Sequence, residues 1–365
     1  MQETKTIADQ SMSSRKPHDK SPWIISPLVD YLFVSGGMLW FLWILAYEGL
    51  STVKTDPASI VFGTVMLWGS ILIAEAHGPA TLVRAFTSPS TPKRTRNIII
   101  IAFVILTLLG IPCLTNQAAA SIFLKITLLW GVQHYTAQTY GVVMIYCLKR
   151  DFALSNLERF LLQNLLRAQL IFVIVRAFSD PHYGAPNFLG LTVPFWGPLP
   201  WGFALTSEFL LLFTIMICLC AMGRRYLLKR EILPVPALLS IVSVMCLTYL
   251  ARDTFNYLIG VYFLHSSQYL AIAYSYFIKE QAAKQGLAMP GNGWKLFVSR
   301  SSLIYFTALI ALGYLMSGTG SILAQLKLPL TLCVATAWSV YNCHHFLADA
   351  LIWRIRNDKV KELLI

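Results

Sequence analysis

The sequence predicts an all-α fold: a polytopic integral membrane helix bundle of about ten transmembrane helices. Three observations predict it. The 365-residue chain is 56% hydrophobic and 13% charged, whereas ordinary soluble domains are about 25% charged. Its mean hydropathy is +0.61. Apolar stretches of about 20 residues, the length that crosses a hydrocarbon core, recur along the chain. The same observations argue against a soluble enzyme, a disordered chain and a nucleic-acid binder. The net charge of +12 does not overturn that, because basic residues in so apolar a chain mark cytoplasmic loops. The expected partner is the lipid bilayer, with no nucleic acid.

The elements follow in order. Residues 1–22 are polar and basic, with no apolar core of a cleaved signal, and are expected to form a disordered cytoplasmic tail. A single transmembrane domain is expected over 23–356, with ten spans near 28–48, 59–83, 97–115, 119–148, 156–178, 203–222, 234–251, 254–278, 299–317 and 328–353. The span 156–178 carries Arg159, Gln163, Asn164, Arg167, Gln169 and Arg176, so an interfacial amphipathic helix is its alternative. The stretch 188–202 is too rich in Pro and Gly for a helix and reads as an aromatic interfacial or re-entrant loop. Residues 357–365 are expected to be a second cytoplasmic tail. Charge placement supports the count. Lys93, Arg94, Arg96, Lys149, Arg150, Arg224, Arg225, Lys229, Arg230, Lys279, Lys284, Lys295 and Arg300 fall in one set of connections. The alternate connections are poor in Lys and Arg. That is the positive-inside pattern with both termini cytoplasmic.

The seven cysteines (Cys113, Cys147, Cys218, Cys220, Cys246, Cys333 and Cys343) include no CxxC pair and mostly sit in apolar runs. They read as small buried hydrophobes. The histidines are different. His18 and His182 are peripheral, but His77, His134, His265, His344 and His345 fall inside spans two, four, eight and ten. All four spans run from outside to inside, and the histidines lie about 10–22 Å from their cytoplasmic ends. One histidine in a membrane helix ordinarily serves as an interhelical hydrogen bonder worth about 0.6 kcal/mol. Five at matched depth and direction point further, to a shared metal ion. Imidazoles suit Fe, Zn or Cu, whereas Mg and Ca prefer oxygen.

Each histidine has polar company at helical spacing: Gln138 after His134, Gln268 after His265, Asp349 after His345 and Thr81 after His77. Gln138, Gln268 and Asp349 suit the task of accepting or fixing the second nitrogen of a ligating imidazole. Glu75 lies two residues from His77, with its direction left open by Pro79. Asp30, Glu208 and Asp253 read as structural groups paired with arginines. Trp130, Trp338 and the tyrosines Tyr135, Tyr140, Tyr262, Tyr269, Tyr274 and Tyr341 crowd the histidine segments. They serve either as packing or as an apolar pocket for a long lipophilic substrate. No Walker loop, GxGxxG, GxSxG, HExxH or Asp-rich prenyl-diphosphate segment occurs, nor do the HxxxH and HxxHH boxes of membrane desaturases.

The last helix carries His344, His345, Asp349, Trp353 and Arg354 as HHFxxDxxIWR. With the multi-span topology and isolated intramembrane histidines, it resembles the bacterial Brp/Blh-type β-carotene 15,15′-dioxygenases. The resemblance covers the architecture and a few short segments. It implies histidine-bound Fe(II), O2, a lipophilic polyene or lipid substrate and a bacterial plasma membrane location. The leading expectation is therefore an iron-dependent oxidoreductase acting with O2 on an isoprenoid or acyl chain. His77, His134, His265 and one or both of His344 and His345 would hold the metal. A haem-binding electron carrier, a proton-coupled transporter using Asp349, Glu75 and the histidines, and a protein in which histidines merely knit helices remain open at this level.

Overall fold

The computed structural model describes residues 21–41, 68–250, 262–285, 299–353 and 358–364. Outside them lie most of the expected first tail with His18, parts of spans one, two and eight, Asp253, Lys295 and Arg354. The described residues form an all-α fold, whose only strands are a two-stranded antiparallel hairpin pairing β1 (Asn187–Phe188) with β2 (Leu191–Thr192).

The main helices are α1 (Glu75–Thr87), α2 (Lys93–Gly110), α3 (Gln117–Lys149), α4 (Asn156–Ser179), α5 (Trp201–Lys229), α6 (Val235–Leu250), α7 (Ser267–Lys284), α8 (Arg300–Ala324), α9 (Leu330–Ile352) and α10 (Asp358–Leu364). Side chains start several of them. Ser155 and Glu158 form a reciprocal capping box at α4, Asn116 caps α3 and Ser299 caps α8; each satisfies backbone N–H groups that a helix start leaves without partners. Three π-helical turns, Asp30–Val34, Ser70–Ala74 and Tyr262–Ser266, lie beside one another and lead into the polar centre.

Among the described residues, four segments are long and apolar enough to cross a membrane: Lys93–Leu114, α4, α5 and α8. They present exposed Ile101, Leu108, Phe209, Leu219 and Leu315 outward, as lipid-facing helices do. The sequence-expected span at 156–178 is among them, as α4. The inner helices α3 and α9 have 33 and 23 residues, enough at about 1.5 Å each to cross. Their polar residues lower their hydropathy and keep them out of that set. α9 packs against α1, α2, α3 and α8, so its histidines sit in the middle of the molecule. Close crossings make this possible. A Cβ on Gly313 of α8 would stand 2.5 Å from the Glu75 carbonyl oxygen of α1.

Two expectations change in detail. Asp30 is structural, but it accepts the N–H groups of Ile24 (2.7 Å) and Ile25 (3.0 Å) and the Tyr146 hydroxyl (2.8 Å), not an arginine. The expected second tail includes α10, which docks on α7 and buries Val360 and Leu364, because these two apolar residues, at i and i+4, share one face. The stretch 188–202 is non-helical up to Trp201, as its Pro and Gly content requires.

Candidate metal centre

Four imidazoles from four distant segments meet inside the bundle. His77 stands in the first turn of α1, His134 midway along α3, His265 in the π turn before α7 and His345 in α9. None is more than 8% exposed. They form a closed ring. Centroids lie 4.8 Å apart for His77–His345, 4.9 Å for His345–His134, 4.9 Å for His134–His265 and 5.3 Å for His265–His77. The His265–His345 diagonal is 6.2 Å. An imidazole nitrogen bound at about 2.0–2.1 Å places neighbouring ring centroids on a tetrahedral ion about 5 Å apart. The four sides fit that spacing, and the longer 6.2 Å diagonal makes the ring flatter than a regular tetrahedron. Ligand atoms of His77, His265 and His345, and of His134, His345 and Asp349, fall in two sets whose members lie within 4.8 Å of one another.

The hydrogen bonds fix which nitrogens face inward. The His77 Nδ1 donates to the Ala74 carbonyl oxygen, which leaves Nε2 with its lone pair. The Thr81 hydroxyl gives its proton to Asp349 Oδ1 at 2.9 Å. The His345 Nδ1 at 2.7 Å must therefore donate to Thr81, and His345 Nε2 carries the free lone pair. His345 Nε2, His134 Nε2 and both His265 nitrogens are buried with no hydrogen-bond partner. Such an atom costs about 1–3 kcal/mol. Those of His265 and His345 belong to a set with His77, and those of His134 and His345 to a set with Asp349, and a metal ion held by either set would engage nitrogens that otherwise have no partner.

Asp349 is held as tightly as the rings. Its Oδ1 accepts from Thr81 and from the Tyr269 hydroxyl (2.8 Å), and Trp353 Nε1 donates to that hydroxyl at 3.0 Å. Its Oδ2 faces His134 Nε2 at 3.6 Å and His345 Nε2 at 3.7 Å. Asp349 is thus placed to be a ligand itself and not only an orienting group. The Arg84 guanidinium stacks on Trp353 at 3.3 Å and on Tyr276 at 4.1 Å, closing this end of the network.

Two sequence expectations need correction. His344 does not join the cluster. Its Nε2 meets the Ile99 carbonyl oxygen at 3.0 Å and its ring packs on Phe103. Consecutive helix residues point about 100° apart, so only one of the HH pair can face the centre. Gln138 and Gln268 hold backbone, not imidazole. Gln138 Nε2 donates to the His265 carbonyl at 2.9 Å and to Gln268 Oε1 at 3.2 Å; Gln268 Nε2 donates to the Val34 carbonyl at 2.7 Å. The two amides thereby brace the π turns Asp30–Val34 and Tyr262–Ser266. Sequence reasoning noted Thr81 and Tyr269 only as neighbours; their link to Asp349 has no signature in spacing.

Two cavities touch the cluster. One of about 220 Å³ is bordered by Trp130, His134, Tyr269, Phe346, Asp349 and Trp353. The other, of about 160 Å³, is bordered by Glu75, His77, Trp338, Tyr341, Asn342 and His345. Glu75 faces the second, and the Ser317 hydroxyl donates to its carboxylate. No family model, curated protein or solved structure matches the chain.

Proposed function

We propose that the protein is a polytopic membrane metalloprotein, a non-haem iron-dependent oxidoreductase acting with O2 on a lipophilic isoprenoid or acyl substrate. In this reading the bundle has about ten spans and both termini are cytoplasmic. The observation that carries it is the ring of four buried imidazoles, three of them with unpartnered nitrogens, with His134 in the wall of a mostly apolar cavity. His77, His134, His265 and His345 would hold the ion, with Asp349 as a further oxygen donor. A bound iron ion would supply the activation of O2.

The chain's own residues do the rest. Thr81 and Tyr269 fix Asp349 so that Oδ2 points inward. Gln138 fixes the turn that carries His265. Phe346, Trp130 and Trp353 give the larger cavity an apolar wall that holds a hydrocarbon chain and excludes water. The spacing favours a bare ion over haem: rings only 4.8–5.3 Å apart on all four sides leave no plane in which a macrocycle fits.

Metal analysis of the purified full chain tests the reading. Stoichiometric iron is expected in the wild type and in His344→Ala, with loss in His134→Ala and His265→Ala. A folded wild type without metal overturns it. A Soret band would replace it with the haem carrier.

A further inference from the structure

We infer that the histidine cluster is a partition between two separate chambers: a larger one for the chain of the lipophilic substrate, and a smaller one, with Glu75 in its wall, that admits small polar solutes to the opposite face. The inference rests on the function proposed above and adds where each reactant arrives.

The two cavities share no lining residue, yet both reach the cluster. His134 and Asp349 border the larger; His77 and His345 border the smaller. Along α9 the division is clean. Residues up to His345 serve the smaller chamber and Phe346 onward serve the larger.

Shape and chemistry separate them too. The larger chamber follows α3 from Trp130 to Ile145, a run of about 22 Å. That suits an extended hydrocarbon. Ile145, Ile272 and Leu364 of α10 line it away from the metal ligands, and exposed Gln133, Ala137 and Ala350 form its rim. The smaller chamber sets the carboxylate of Glu75 and the polar side chains of Ser317, Asn342 and Tyr341 beside Leu189, Met316, Val334 and Trp338, so a carboxylate that is costly to bury against a lipid chain stands in its wall.

One glycine in each chamber supports the same conclusion. Gly141 in α3 lines the larger and Gly78 in α1 lines the smaller. Glycine inside a helix costs about 0.5–1 kcal/mol relative to alanine. Neither position needs it for packing, since a Cβ at either would meet nothing within 4 Å. What the missing side chain leaves in each case is open chamber.

The open space also makes the test mild, because a thiol fits at both sites. Gly141→Cys, Gly78→Cys and, as a second smaller-chamber variant, Asn342→Cys are compared with the wild type in detergent. A small cationic methanethiosulfonate reagent is expected to label Gly78→Cys and Asn342→Cys but not Gly141→Cys. The polyene fatty acid cis-parinaric acid is expected to slow N-ethylmaleimide labelling of Gly141→Cys about tenfold when it stands at ten times its dissociation constant. It should leave the other two unchanged. Protection of all three thiols means one continuous chamber and overturns the inference. So does protection of none, or failure of the cationic reagent to reach both smaller-chamber thiols. Metal content measured on the same samples keeps the two readings apart, since the labelling does not depend on iron.

Discussion

Thr81 is the residue on which the geometry of the centre turns. Its hydroxyl accepts from His345 Nδ1 and donates to Asp349 Oδ1, so one side chain sets the tautomer of His345 and the rotamer of Asp349. Thr81→Val keeps the volume and removes both bonds. Metal affinity is expected to fall about 10–100-fold, the usual effect of losing a group that orients a ligand. Chelator competition measures it, Thr81→Ser should restore it, and an unchanged affinity would show that the ring needs no such support. The sequence carried part of this. His77, His134, His265 and His345 were legible because ionisable groups are rare and costly in a bilayer. The choice between His344 and His345 was not legible, since it depends on the rotation of α9 against its neighbours. Gln138 and Gln268 were legible as residues near the site, but their partners are carbonyls of other segments that helical spacing does not reveal.

At the scale of elements, close helix crossings and π turns bring these side chains together. The Ala74 carbonyl oxygen, in the π turn Ser70–Ala74, accepts from His77. The His265 carbonyl accepts from Gln138 and the Val34 carbonyl from Gln268. An i→i+5 turn has no composition signal comparable to a cap or a proline, which is why these three turns were invisible in the sequence. The crossing of α8 over α1 is testable by one methyl group. Alanine at Gly313 gains about 0.8–1 kcal/mol of helix propensity. It also places a Cβ 2.5 Å from the Glu75 carbonyl oxygen, and such overpacking costs about 1–3 kcal/mol. The clash is with backbone, so it should win. Gly313→Ala is expected to lower thermal stability, whereas Gly223→Ala, where nothing lies within 4 Å, is expected to raise it slightly. Thermal unfolding in detergent compares the two, and equal shifts would remove the crossing as the reason for Gly313.

For the whole molecule, the arrangement is an apolar shell around a polar axis. α4, α5, α8 and the helix from Lys93 supply the shell, and α3 and α9 carry the centre within it. Hydropathy found the shell easily and the fold class with it. The helices of the centre were legible only from length and charge alternation, because the polar side chains they carry inward dilute their apolar signal. The proposed topology makes a sharp demand on α4, the segment with most charged residues among the expected spans. If α4 and α5 both cross, Arg159 and Lys229 lie on the cytoplasmic side and the β1–β2 hairpin on the other. If α4 lies in the interface, the hairpin shares a side with Arg159. All three sites are exposed. Single cysteines at Arg159, Asn187 and Lys229 in a cysteine-free background separate the cases. An impermeant maleimide added to intact cells is expected to label only Asn187→Cys, with the other two labelled after permeabilisation. Labelling of Arg159→Cys and Asn187→Cys under the same condition would put α4 in the interface. It would also remove the common outside-to-inside direction of the histidine helices on which the matched depth of their ligands was argued.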